Sequence, residues 1–253
     1  MEHGFLDRYS GLRSPVHRVD PRAKAVLALA FVLVVVSTPP QHLLAFTIYA
    51  GLLAWTAALA RVPMGFLLSR AALGLPFSAL VALGLPFMRG GESIGLFGGR
   101  LSLSVPGLWM LAGVAMKSFL GTFCMALLVS TAPFSRLLAG LRRLGAPALL
   151  IDLLAMTYRY VFLLVDQAMR MKRAAAARGY RPRWLPQAVI VGRMVGGLFV
   201  LSYERAERVH GAMLMRGYSG AMPASGPLAF RTTDALVLAA ALPTLAAVRI
   251  FAQ

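Results

Sequence analysis

Acidic side chains that could support chemistry are few in this sequence, and they do not converge. Asp152 and Asp166 could serve as a general acid and base or as metal ligands, but they are 14 residues apart on a predicted helix. That spacing is about 21 Å along a helix axis, so the two carboxylates cannot share one site within the helix. Arg159 lies midway between them, and Arg170 follows Asp166 by four residues. We therefore predict ion pairs along the helix, involving Asp152, Arg159, Asp166 and Arg170, rather than catalysis.

Other signatures of an enzyme or a metal site are missing. The four histidines, His3, His17, His42 and His210, have no metal-ligand spacing, and the sequence contains neither HExxH nor a GxxxxGK[ST] phosphate loop. The single cysteine, Cys124, lies in an apolar run and supports neither a disulfide framework nor a thiolate metal site. We expect a non-catalytic chain with no cofactor and no bound metal.

One three-residue sequence, Arg-Gly-Tyr, occurs twice, at 178–180 and at 216–218. Each copy follows a run of residues that favour helix. Glycine suits the left-handed residue that ends a helix, and a cation in the last turn complements the helix dipole. A single copy indicates only a capped helix end. Two copies, 38 residues apart in a basic segment, suggest a docking device that is used twice.

Composition indicates a polytopic, all-α membrane protein. Hydrophobic residues make up 58% of the 253-residue chain and charged residues only 14%, whereas about 25% of a soluble domain is charged. Lys and Arg number 26 against 9 acids, a net charge of +17. Because the apolar spans argue against a nucleic-acid-binding protein, we assign the excess charge to orientation in the membrane and to contact with anionic lipid or an acidic partner.

Apolar segments predict about five transmembrane helices. They are 25–37 (beginning near Pro21), 43–60, 67–88, 106–131 and 234–250. Pro76 and Pro86 should kink the third, and the Gly- and Ser-rich residues 89–105 should form a loop or a small hairpin.

Lys117 lies inside the fourth span. An intramembrane lysine is a candidate functional residue, but it is also a cation that can face a polar partner inside the bundle, and we favour the second interpretation.

Between the fourth and last spans, the pattern predicts a short amphipathic helix at 134–144 and two long helices at 147–178 and 187–216. We expect the long helices to form an antiparallel or crossed pair, with Gly192, Gly196 and Gly197 used for close packing. The chain then divides into an N-terminal segment (1–24), a four-span membrane domain (25–133), a coupling domain (134–231) and a last span (232–253).

Basic residues predict the orientation of the chain. Residues 1–24 contain five, two more (Arg61 and Arg70) bracket the turn after the second span, and residues 134–231 contain fifteen. The positive-inside rule therefore places the N-terminus and residues 134–231 in the cytoplasm and the C-terminus outside. We expect a multi-pass protein of the cell (inner) membrane.

The sequences at the two predicted helix ends resemble those of a known family. The sequences Ala177-Arg178-Gly179 and Met215-Arg216-Gly217 are similar to the two Ala-Arg-Gly signatures of the transmembrane (T) component of energy-coupling factor (ECF) importers, with Met215 in place of alanine. The stretch 14–24 (SPVHRVDPRAK) is similar to that of the cobalt/nickel, CbiQ-type subgroup. The resemblance spans essentially the whole chain, including the order of spans and coupling helices.

This resemblance implies a function. The T component of such an importer links a substrate-binding membrane S component to two cytoplasmic ATP-binding-cassette (ABC) ATPase subunits, and here it would serve uptake of cobalt or, next, nickel. Residues 177–179 and 215–217 would dock the ATPases, with Arg178 and Arg216 entering grooves on them. The alternatives are a T component that serves a vitamin-binding S component and, from another class, a stand-alone membrane carrier with Lys117 along its path.

Overall fold

The computed structural model describes residue 12 and residues 14–84, 93–96, 101–180, 188–220 and 230–251. Within these residues, the chain forms helices and one two-stranded hairpin. The helices belong to two compact units: a larger unit of residues 2–141 and 227–253, and a smaller unit of residues 142–226.

The larger unit contains most of the elements. Its helices are α1 (Pro15–Arg18), α2 (Pro21–Ser37), α3 (Leu43–Ala60), α4 (Met64–Ala72), α5 (Leu75–Ala82), α6 (Val105–Thr131), most of α7 (Phe134–Arg143) and α10 (Thr232–Phe251). Strands β1 (Ser93–Leu96) and β2 (Leu101–Ser104) pair in antiparallel register and lead into α6, so the loop-or-hairpin segment forms a hairpin.

An aromatic cluster on α2 and α3 lies at the centre of the larger unit. Tyr49 is 1% exposed, and its ring meets those of Phe31 and Phe46 edge-on, at centroid distances of 5.9 and 6.4 Å. The buried Tyr49 hydroxyl lies 3.3 Å from the hydroxyl of Thr38, which satisfies a polar atom that burial would otherwise make costly. α6 packs against α2, α4 and α5 and completes this core.

Two glycines allow close approach to the ends of α2. A Cβ atom on Gly113 of α6 would lie 2.4 Å from Pro40, in the turn after α2. A Cβ atom on Gly140 of α7 would lie 3.4 Å from the backbone nitrogen of Arg22, and Leu138 is buried beside it. α7 therefore packs on the start of α2, and the larger compact unit includes residues up to 141. The division of the chain into four segments by function stays a prediction.

The starts of α2 and α10 are joined by a buried carboxylate. Asp20 caps α2 through its side chain, which accepts from Arg22 N, and Pro21 begins the helix, as the sequence predicts. Asp234, 2% exposed, accepts a hydrogen bond from Asp20 N at 3.0 Å and one from Arg231 N at 2.9 Å. Lys24 links α2 to a third helix, because its ammonium group donates a hydrogen bond to the Thr131 carbonyl of α6 at 2.9 Å.

Five helical segments in the described ranges are long and apolar enough to cross a membrane: Leu43–Ala60, Met64–Ala82, Pro106–Thr131, Ala148–Ala177 and Thr232–Phe251. The second of these is α4 and α5 taken together. The predicted fold class, an all-α polytopic membrane protein with about five such helices, is confirmed, with the small hairpin as an addition. The set differs from the predicted one. It includes Ala148–Ala177, which lies in the segment that we assigned to the cytoplasm, and it omits α2, which has only 17 residues.

The third predicted span is interrupted earlier than expected. Its first part ends as α4 at Ala72, and α5 begins at Leu75 after Leu73 and Gly74. Pro76 lies in the first turn of α5, where its missing N–H leaves no hydrogen bond unmade. The proline therefore starts a new helix instead of kinking a continuous one. Pro86, the second predicted kink, lies outside the described residues.

The smaller unit contains two long helices, α8 (Ala148–Ala177) and α9 (Ala188–Met215). They run antiparallel, since the end of α8 lies beside Ile190 and Arg193, and the start of α8 lies beside Met213 and Tyr218. Of the three glycines on α9 that we expected to pack closely, Gly197 does so: its Cβ position is 3.2 Å from Met171 Cε. Gly192 and Gly196 face open space.

We predict that Asp234→Ala lowers the free energy of unfolding by about 2–4 kcal/mol, because it leaves two backbone N–H donors without their acceptor. The measurement is the melting temperature of the detergent-purified chain. Glu204→Ala is the control, since the Glu204–Arg208 pair is exposed and a surface pair contributes little. Equal melting temperatures for Asp234→Ala and the wild type would contradict this role.

Candidate functional site

The first Arg-Gly-Tyr sequence forms a Schellman cap at the end of α8. Arg178 is the C-cap residue, and Gly179 follows it with φ +82°. Gly179 N donates to Ala176 O at 3.0 Å, and Tyr180 N donates to Ala175 O at 3.1 Å. These two hydrogen bonds satisfy carbonyl groups that the helix end would otherwise leave unpaired, and the left-handed glycine makes them possible.

The second copy repeats this geometry at the end of α9. Gly217 has φ +80° and donates from its backbone nitrogen to Leu214 O at 3.0 Å. Tyr218 N donates to Met213 O at 3.0 Å, and Arg216 again precedes the glycine. The repeated sequence is therefore a repeated three-dimensional structure, down to the individual hydrogen bonds.

Both caps leave their arginines open to a partner. Arg178 and Arg216 are exposed, and within the described residues neither guanidinium has an ion pair or a hydrogen bond. Ala177 and Gly179 are exposed beside Arg178, Gly217 is exposed beside Arg216, and Met215 is 90% exposed. We call residues 177–179 and 215–217 the two tips. The arginine of each tip carries a permanent positive charge and five N–H donors, and small or flexible apolar groups surround it.

Because α8 and α9 are antiparallel, the two tips lie at opposite ends of the pair. Arg178 lines a groove of about 490 Å³ with Ile190 and Arg193, near the start of α9. Tyr218 lines a second groove, of about 530 Å³, with Leu149 and Asp152 near the start of α8. At 1.5 Å per residue, residues 152 and 178 are about 39 Å apart along α8, so one compact partner site cannot hold both tips.

The ion pairs predicted along α8 have different partners in the structure. Asp152, 7% exposed, pairs with Arg142 at 3.3 Å (Nη1 to Oδ1), not with Arg159, which is exposed. A seven-residue spacing, about 10 Å along the axis, is too long for direct contact. The turn at 144–147, in contrast, returns the chain so that Arg142 meets the start of α8. Sequence reasoning missed Arg142, since nothing in the local pattern marks a contact across that turn.

Arg170 also has a different partner. Its Nε and Nη2 donate to Gln167 Oε1 at 3.1 and 2.6 Å, so the guanidinium is held three residues back along the exposed face of α8. The expected pair with Asp166 stays a prediction. Asp166 itself is half-buried.

Lys117 has a polar partner in the bundle. Its ammonium group donates to the Val36 carbonyl at 2.7 Å, in the last turn of α2. That carbonyl is one of the four that a helix leaves unpaired at its C-terminus, and a cation is favourable there. The contact agrees with the favoured of the two interpretations of this residue.

Groups for metal coordination are not brought together in the described ranges, where no cluster of three or more His, Cys, Asp or Glu side chains occurs. The groups that the fold does present are the two capped arginines. Their arrangement is suited to binding acidic grooves on a partner.

Comparison with known proteins identifies the family of this chain. A family model described as "CbiQ: Cobalt transport protein" matches residues 13–225. The chain belongs to that family. It is 32% identical to the Cobalt transport protein CbiQ of Rhodobacter capsulatus over 229 residues, which cover 86% of this chain and 89% of that protein.

Other relatives extend the match to ECF transporters in general. The energy-coupling factor transporter transmembrane protein EcfT of Listeria innocua is 27% identical over 87% of this chain and 86% of its own length. The Nickel permease LarQ of Lactiplantibacillus plantarum is 34% identical over 46% of this chain and 44% of its own length. The chain is therefore a multi-pass membrane T component of an ECF transporter, of the cobalt/nickel type, and its relatives are transport components.

We predict that Gly179→Ala and Gly217→Ala each destabilise a cap by about 1–2 kcal/mol, since an L side chain is strained at positive φ. Open space surrounds both Cβ positions, so strain in the backbone is the whole effect. Faster amide hydrogen exchange at Tyr180 and Tyr218 measures it. Gly196→Ala is the matched control: its Cβ also meets nothing within 4 Å, and alanine favours the helix interior. Unchanged exchange in both cap variants would contradict the assignment.

Proposed function

We propose that this chain is the energy-coupling subunit of an importer for a transition-metal ion. It links a metal-binding S component in the membrane to two cytoplasmic ABC ATPase subunits, and it performs no catalysis itself because its partners hydrolyse ATP. The observation that carries the proposal is the repeated, exposed and unpaired arginine at the capped ends of α8 and α9.

Docking through Arg178 and Arg216 is favoured by the chemistry of the tips. A guanidinium can form two parallel hydrogen bonds to one carboxylate, which fixes the direction of approach as well as adding energy. The left-handed glycine turns the chain away immediately after the arginine, so a groove can close around the helix end. Ala177 and the flexible side chain of Met215 allow a close fit beside each cation.

Two tips at opposite ends of an antiparallel pair fit two partner subunits, one for each tip. When ATP draws the ATPases together, both tips would move, and α8 and α9 would convey that movement to the membrane spans and tilt the S component. Each helix is about 40–45 Å long and has a continuous run of backbone hydrogen bonds, so it is stiff enough to transmit a displacement.

For this function, α8 and α9 must reach the cytoplasm. The first part of α8 is apolar enough to enter a bilayer, but Asp166, Arg170, Lys172 and Arg173 all lie in its final twelve residues, and Arg178 caps it. Burying such a run in hydrocarbon is expensive, so we place α8 at the membrane surface with its end in the cytoplasm. The N-terminus of the chain is then cytoplasmic and its C-terminus is outside, and the protein lies in the cell (inner) membrane.

Cobalt is the proposed cargo and nickel the next candidate. The family model and the Rhodobacter protein both have cobalt transport in their names. The Lactiplantibacillus protein, which matches 46% of this chain, is named a nickel permease. The described residues include no cluster of metal-ligating side chains, so we assign metal recognition to the S component.

The double variant Arg178→Ala/Arg216→Ala should abolish uptake of radioactive cobalt in cells that express the complete importer, because both docking cations are lost. Arg173→Ala/Arg208→Ala is the matched control, since it also removes two exposed arginines but leaves both caps intact. Normal uptake in the first pair, or an equal loss in the control pair, would remove the docking proposal.

Each single variant should leave one ATPase subunit attached. In the purified complex, we expect Arg178→Ala or Arg216→Ala to lower the number of ATPase copies retained per T subunit from two towards one, and the double variant to retain none. Native mass spectrometry measures this directly.

Liposomes that contain only this chain should take up no cobalt, and uptake there would instead favour a stand-alone carrier.

A further inference from the structure

Two cations converge on the last turn of α2. Lys117, from α6, donates to the Val36 carbonyl at 2.7 Å, and Arg249, from α10, donates through Nε to the Ser37 hydroxyl at 3.3 Å. Val36 and Ser37 are neighbours in sequence, so the ammonium and guanidinium groups meet the same helix end. Both α6 and α10 pack against α2, which fixes the two side chains in this place.

The end of α2 does not neutralise these cations. Its Val34 carbonyl accepts from the hydroxyls of Ser37 and Thr38, and its Val35 carbonyl accepts from Thr38 N. A helix C-terminus carries about half a negative charge, against two full positive charges here. In addition, Nη1 of Arg249 is shielded from solvent and has no hydrogen-bond partner within the described residues.

Carboxylates of the described part of the larger unit lie elsewhere. They are Asp20 and Asp234, and both are engaged at the start of α2. The start and end of a 17-residue helix are about 25 Å apart, so these acids are well beyond contact with Lys117 or Arg249. Among the residues that the structure describes, the site therefore has surplus positive charge, and Arg249 has an unused N–H donor group.

Its surroundings are apolar and open. Leu33 and Val36 of α2 are 61% and 57% exposed, and Ile250 and Phe251, directly after Arg249, are 68% and 92% exposed. In a membrane-spanning bundle, such side chains face acyl chains. A bilayer core is about 30 Å thick and the 17 residues of α2 extend about 25 Å, so with its start at one face of the bilayer the end of α2 would lie near the headgroups of the opposite leaflet.

We propose that Lys117 and Arg249 bind the phosphate of an anionic phospholipid headgroup, with the Ser37 hydroxyl holding the Arg249 guanidinium in place by accepting from its Nε. The two cations supply charge-assisted hydrogen bonds to phosphate oxygens, while the exposed apolar side chains contact the acyl chains. A lipid fits better than free phosphate, because the site lies on the outer surface of the helices beside apolar residues. The bound lipid would join α2, α6 and α10 at the end opposite the Asp20–Asp234 contact.

The test uses the full chain, delipidated in detergent, with phosphatidylglycerol, phosphatidylcholine or inorganic phosphate added. Native mass spectrometry counts bound lipid, and the melting temperature reports stabilisation. We expect one tightly bound phosphatidylglycerol per chain. Removing either cation, by Lys117→Gln or Arg249→Gln, should weaken this binding about fivefold, which is the ratio for about 1 kcal/mol per basic residue at an anionic surface.

Ser37→Ala is a mild variant at an exposed position and should weaken binding without loss of the fold. Arg143→Gln, an exposed cation on α7, is the control and should retain the tight lipid. Equal binding by Lys117→Gln, Arg249→Gln and the wild type would overturn the proposal. So would equal stabilisation by phosphatidylcholine or by inorganic phosphate.

Discussion

A glycine in the left-handed conformation at the end of each long helix is the constraint on which the proposed coupling depends. At Gly179 and Gly217, φ is near +80°, and the same two backbone hydrogen bonds close both caps. The cap stops the helix at a defined residue, so the preceding arginine extends from a rigid end rather than from a frayed one. If the helix continued or unwound there, the cation would lose its fixed position and direction.

A second constraint operates in the larger unit, where buried polar contacts hold the helix ends in place. Asp234 joins the start of α10 to the start of α2, and Lys24 joins α2 to the end of α6. At the other end of α2, Lys117 and Arg249 reach its final turn. Backbone groups at helix ends are costly to leave unpaired away from water, so these contacts stabilise both ends of α2, the start of α10 and the end of α6.

Much of this architecture could be predicted from local sequence. The Asp20-Pro21 start of α2, the bounds of α3 and α6, and the two caps follow from helix signals and apolar runs, which act over a few residues. Long-range contacts could not be predicted in this way. The partner of Asp152 is Arg142, across a turn, and α7 packs on α2 through Leu138 and Gly140 because those elements meet only in the folded chain. The break at Leu73–Gly74 was missed because both residues also occur in continuous spans.

Site-directed crosslinking in the assembled importer tests the central claim most directly. The native Cys124 is buried, so single cysteines at Ala177 or Met215, both exposed at the tips, would supply the reactive thiols. We predict that a short lysine-reactive arm on either cysteine joins this chain to an ATPase subunit, and that Phe199→Cys, 70% exposed in the middle of α9, does not. Crosslinks to the ATPase from position 199 and none from positions 177 and 215 would contradict the account.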